Sequence, residues 1–136
     1  MFDSELILRD DSTALTANEQ SIASTVRSAG CAVIDLGETP VKGMSVVIVC
    51  PTLATGTSST LDVKIQESDS MASGYKDLVT FDQITLAMTP CRRIRRFATT
   101  KRYIRHYATI GGSGTPDFKL TQILIGGEDW ENTPGA

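Results

Sequence analysis

Hydrophobic and polar positions along this chain alternate with a period of two far more often than they recur at helical spacing. The clearest case is Thr60 to Glu67 (TLDVKIQE), where Leu61, Val63 and Ile65 fall on one face and Asp62, Lys64 and Gln66 on the other. Met44 to Cys50 (MSVVIVC) is a continuous β-branched run, the pattern of a strand buried on both faces. Further strand-like segments are Glu5 to Arg9, Cys31 to Leu36, Leu78 to Leu86, Arg92 to Phe97, Arg102 to Ile110 and Phe118 to Ile125. In the region 101–126, Tyr103, Arg105, Tyr107 and Thr109 point one way and Ile104, His106, Ala108 and Ile110 the other. The glycine-rich stretch Gly111 to Pro116 then predicts a hairpin loop, followed by a second alternating strand. Pro51 to Ser59 and Ser68 to Lys76 also read as loops. Ser12 to Ser28 holds Leu15, Ile22 and Val26 but lacks a filled apolar stripe, so no helix is expected there.

About eight antiparallel strands without intervening helices predict an all-β, single-domain β-sandwich of jelly-roll type. The expected organisation is an extended N-terminal arm with short strand pieces at 1–28, the sandwich at 29–126 and an acidic C-terminal tail at 127–136. A chain of 136 residues, 40% of them hydrophobic, suffices for one core.

Charge changes the picture more than composition does. The net charge of −3 offers no global attraction for nucleic acid. Its distribution is uneven: residues 1–91 carry five Lys/Arg and twelve Asp/Glu, residues 92–105 seven and none, and residues 106–136 one and four. The basic band is Arg92, Arg93, Arg95, Arg96, Lys101, Arg102 and Arg105. Its bland reading is a solvated edge whose charges resist strand-to-strand aggregation. Its functional reading is an interface, because the planar guanidinium binds carboxylates bidentately and stacks on aromatic rings. Tyr103, Tyr107 and Trp130 are the expected anchors nearby. Alternation sets Arg92 and Arg96 on one face, Arg93 and Arg95 on the other.

Catalytic and metal patterns are weak. His106 is the sole histidine, lies mid-strand and accompanies no G-x-S-x-G elbow, so it reads as a sheet residue and no catalytic group is expected. Cys31, Cys50 and Cys91 are odd in number, widely spaced and form no CxxC pair, which predicts neither a disulfide scaffold nor a zinc site. The acidic residues make no D-x-D-x-D-G loop, and Gly111 to Gly114 is followed by Thr115-Pro116 where a phosphate loop needs Lys-Ser/Thr. No cofactor is expected. The amino terminus shows no signal-peptide pattern and no window has the apolar length of a membrane span, which predicts assembly in a reducing cytoplasm and no membrane partner.

The order of Val33-Ile34-Asp35-Leu36-Gly37, then Thr60 to Asp69, then Arg102 to Gly112 with Phe118 to Ile125, resembles the jelly-roll capsid cement (decoration) proteins of tailed bacteriophages. The likeness runs loosely over residues 2–126. It implies a homotrimer on the outer surface of the virion head that clamps neighbouring major capsid subunits and performs no enzymatic reaction. The RRIRR run and the acidic WENTPGA tail depart from that pattern. The alternative is a carbohydrate- or receptor-binding β-sandwich module using Trp130, Tyr75 or Tyr103 against sugar rings.

Overall fold

The computed structural model describes residues 7–20, 28, 30–37 and 41–127. Ten strands follow in chain order: β1 (Ile7–Arg9), β2 (Glu19–Gln20), β3 (Ile34–Asp35), β4 (Val41–Cys50), β5 (Thr55–Ser68), β6 (Lys76–Thr80), β7 (Ile84–Thr85), β8 (Cys91–Thr99), β9 (Tyr103–Asp117) and β10 (Gln122–Gly127). Among the described residues the helical content is one 3₁₀ turn, Leu86–Met88. One sheet has the order β1-β10-β4-β8; the other has β2-β9-β5-β6. β3 lies beside β9 on the same side as β2, and β7 lies beside β5 on the same side as β6. β2 with β3, and β6 with β7, therefore each fill a single strand position. All pairings are antiparallel. Numbered by position, the sheets run 1-8-3-6 and 2-7-4-5, which is the jelly-roll arrangement of two interleaved Greek keys. The all-β sandwich expected from the alternation is the fold of the chain.

The core lies between the sheets. Val46, Ile48 and Cys50 of β4, and Ile123 and Ile125 of β10, face Leu61, Val63 and Ile65 of β5 and Ile104 and Ala108 of β9. Leu8, Leu15, Phe81, Ile84, Phe97 and Phe118 close its ends. Each such side chain contributes roughly 1.5–3 kcal/mol on leaving water. The unbroken apolar run of β4 is accounted for by a second, smaller cluster on the opposite face of that sheet. There Val47 and Leu124 are buried against Ile7, Val49 and Ile94.

The arm-like N-terminal stretch supplies the short strand pieces β1 and β2, both paired into the sheets, with Leu8 and Leu15 fully buried. Residues 1–6 and 21–27 lie outside the described residues, as does the acidic tail beyond Gly127.

Three expectations are corrected. The hairpin expected across Gly111 to Pro116 does not form: β9 continues through that stretch to Asp117, and β10 belongs to the other sheet. Much of the supposed Pro51 to Ser59 loop is likewise strand, and it pairs with the glycine-rich stretch of β9. Thr60 sits opposite Gly111, Thr57 opposite Ser113 and Thr55 opposite Asp117, with irregular register between them. The pairing needs bulges and close backbone approach. Gly112 has φ +101°, and a Cβ there would stand 2.5 Å from the Ser58 carbonyl oxygen. The expected alternation from Phe118 onwards also fails before Gln122. Lys119 takes φ +57°, and the segment docks on residue 15 through Phe118 N–H to Leu15 O (2.9 Å) and Leu15 N–H to Lys119 O (2.8 Å). Phe118 and Ile123 consequently both enter the core, while Leu120 is exposed.

Candidate functional site: an arginine edge and a tied outer face

Among the described residues β8 has one hydrogen-bonded neighbour, β4, and forms an edge of its sheet. Register places Arg93 opposite Ile48 and Arg95 opposite Val46, on the core-side face. Arg92 stands opposite Val49 and Arg96 opposite Ser45, on the outer face. All four arginines are exposed. At a rim, even core-side arginines reach water by extending their long stems past the edge. Arg95 lies 3.4 Å from Asp82, but the side chains are 47% and 93% exposed, so the pair holds Arg95 loosely. The Arg93 guanidinium approaches the Met88 sulfur at 3.4 Å. Phe81, Asp82, Arg92, Arg93, Ile94 and Arg95 line a shallow depression along this rim.

The rest of the basic band is elsewhere. The connection from β8 to β9 crosses between sheets, so Lys101, Arg102, Tyr103, Arg105 and Tyr107 belong to the turn and outer face of the second sheet. The band does not form one continuous surface on one sheet, a division that sequence alternation could not reveal. On this second face the cations have internal partners. Lys101 Nζ lies 2.9 Å from Asp69. Arg102 grips Asp35 with Nε and a terminal nitrogen at 2.8 and 2.9 Å, and this hydrogen-bonded charge holds the Asp35 carboxyl below its ordinary value. Arg102 also lies over the Tyr103 ring at 5.3 Å. Arg105 donates to Gln66 Oε1 at 2.8 Å and stacks 4.2 Å from the Tyr75 ring. Gln66 in turn donates to Asp77, and Lys64 sits over Tyr107. Trp130 lies outside the described residues.

A cluster the sequence did not reveal ties the sheets together inside the body. Arg9 of β1 is fully buried and donates Nε to Glu19 Oε1 at 2.5 Å and a terminal nitrogen to Thr121 O at 2.7 Å. The same Glu19 oxygen lies 3.0 Å from His106 Nε2 and 3.7 Å from Cys31 Sγ. Burial would raise the Glu19 carboxyl, but the His106 hydrogen bond and the Arg9 charge outweigh it and hold the group below its ordinary value. Burial, then the adjacent Glu19 charge, pushes the Cys31 thiol up to about 11. A nucleophilic cysteine needs the reverse shift, so this thiol stays protonated at neutral pH beside its histidine. Donor atoms of Glu19, Cys31 and His106 lie within 4.8 Å of one another, as metal ligands would. The Arg9 guanidinium, however, already holds the shared carboxylate oxygen and would repel a divalent cation there. The arrangement suits a charge-balanced cross-tie. Alternation put His106 on the face of Ile104 and Ala108; nothing local pairs it with Glu19, 87 positions away.

No protein-family model matches the chain, and no curated protein matches it.

Proposed function

We propose that this protein is a capsid cement protein: a homotrimer on the outside of a phage head that bridges neighbouring major capsid subunits and stabilises the shell by adhesion alone. The observation that carries this reading is the row of four exposed arginines on the unpaired edge β8 of a jelly-roll body. Such an edge offers backbone donors and acceptors together with guanidinium forks, which suits an acidic protein surface. The order of strand motifs supports it further. The mechanism is mechanical. Each trimer makes several modest contacts at once, so effective concentration gives tight attachment. A ligand that binds only the assembled lattice must stabilise it by linkage.

The sugar-binding alternative is supported less well, because Tyr75 and Tyr103 already lie under Arg105 and Arg102.

Three measurements test the reading. Sedimentation should give a trimer at micromolar concentration. Expanded heads should retain the chain on pelleting, whereas free capsid subunits should not. Arg92→Glu with Arg95→Glu should weaken head retention without unfolding the body. A monomer that heads never retain overturns the proposal, and retention unaffected by the double substitution removes the arginine edge from it.

A further inference from the structure

Cys50 and Cys91 face each other across the β4–β8 ladder, directly opposite in register. Opposed residues of an antiparallel pair have Cα atoms about 4.5–5.5 Å apart. That span lies within the roughly 4.4–6.8 Å that a disulfide bridges. Both side chains are on the core-side face: Cys50 is buried in the core beside Ile48, and Cys91 packs against the same core half-exposed. Burial pushes the Cys50 thiol up to about 12, so Cys50 cannot be the first attacker. Their positions differ in a way that orders the chemistry. Cys91 opens the edge strand, with Arg92 and Arg93 beside it, so a reagent in solution reaches it first. Cys50 stands behind it, with the Thr121 hydroxyl 3.6 Å from its sulfur.

We propose that Cys50 and Cys91 form a reversible cross-strand disulfide that fastens the arginine edge to the body. The oxidant is a small-molecule disulfide of the glutathione class. The Cys91 thiol loses its proton and attacks one sulfur of that disulfide, displacing one thiol and leaving a mixed disulfide on Cys91. Cys50 then loses its proton and attacks the Cys91 sulfur, displacing the second thiol. This second attack is the slow step, driven by proximity across the ladder. Two protein thiols are oxidised and one disulfide is reduced to two thiols. The basic residues beside Cys91 favour approach of an anionic reagent of this kind. Cys31 takes no part, because its sulfur is engaged with Glu19 in the buried cross-tie.

The physical effect is on β8. Among the described residues this strand is hydrogen-bonded on one side only, and a covalent link at its first residue suppresses its fraying. In a reducing cytoplasm the pair stays as thiols; in an oxidising medium it closes. The test uses the full chain alone, so its outcome is separate from that of head binding. The protein is equilibrated with oxidised glutathione, free thiols are alkylated under acid quench, and the digested peptides are mapped by mass. A linked Cys50–Cys91 peptide pair is expected, with Cys31 alkylated. The melting temperature should rise by about 10 °C and return on reduction, and Cys91→Ser should abolish the rise. Recovery of Cys50 and Cys91 both alkylated, a link only between separate chains, or a glutathione adduct that persists on Cys91 would each overturn the proposal.

Discussion

Glu19→Gln isolates the cross-tie between the two sheets. In the native protein the Arg9 side chain is wholly buried and the Glu19 side chain 24% exposed, at 2.5 Å. Removing one partner of a buried ion pair strands the other charge and typically costs about 3–5 kcal/mol. Glutamine keeps a carbonyl acceptor for Arg9, and the partial exposure of position 19 admits water. Both reduce the penalty to about 2–3 kcal/mol, a large share of the roughly 5–15 kcal/mol that holds a domain of this kind together. Urea unfolding at neutral pH should show that loss, and thermal unfolding a drop of roughly 8 °C. A pH arm separates charge from packing. The folded Glu19 carboxyl titrates below its ordinary value of 4.5. Its contribution is therefore complete above the unfolded value and disappears as pH falls through the folded one. The gap between native and Glu19→Gln protein should narrow in acid over that window. In a cycle with Arg9→Met, the double variant should recover about 1–3 kcal/mol relative to the sum of the singles. Overlapping unfolding curves at neutral pH, or a gap unchanged in acid, would refute the charge-balance reasoning.

Gly112→Ala should destabilise by about 1–3 kcal/mol in denaturant titration, because φ is +101° and the new methyl meets the Ser58 carbonyl at 2.5 Å. Arg102→Ala should cost less than about 1 kcal/mol, since its grip on Asp35 is solvent-exposed, and high salt should shrink the difference. On the alkaline side, Cys31 is pushed from 9.0 up to about 11, so the unfolded chain releases this proton first. Stability is full below the unfolded value and falls by up to about 1.4 kcal/mol per pH unit between the two. With reductant present, native protein should lose more stability over that window than Cys31→Ala does; parallel curves would contradict the raised thiol.

The sandwich was legible because the second half of β5 and the first half of β9 carry side chains that sort cleanly by face, and because β4 is an unbroken apolar run of strand length. Leu61, Val63 and Ile65, and Ile104, His106 and Ala108, lie on the core side that alternation assigns them. The Ser/Thr-rich half of β5 and the glycine-rich half of β9 were illegible for the opposite reason. Strand pairing there rests on backbone hydrogen bonds and bulges, and small polar residues leave no periodic trace of it. The candidate site divides in the same way. The face of each arginine on β8 followed from parity. That β8 is an edge, and that Arg102 and Arg105 belong to another sheet, depends on topology. The Arg9–Glu19–His106 cluster joins residues from three strands, and no local spacing encodes such a meeting. The pairing of Cys50 with Cys91 was hidden similarly, since register between β4 and β8 is set by the sheet as a whole.

The placement of β1 beside β10 governs when this molecule can take shape. Arg9 binds the carbonyl of Thr121, a residue 112 positions later, and Ile7 lies opposite Leu124. During synthesis the first strand can meet Gly30 to Ala32 early, but it cannot take its place beside β10 until β10 has left the ribosome. Closure of so long a loop precedes most of the favourable burial, which makes such topologies slow to fold. The nascent chain must keep its early apolar segments out of trouble throughout that wait.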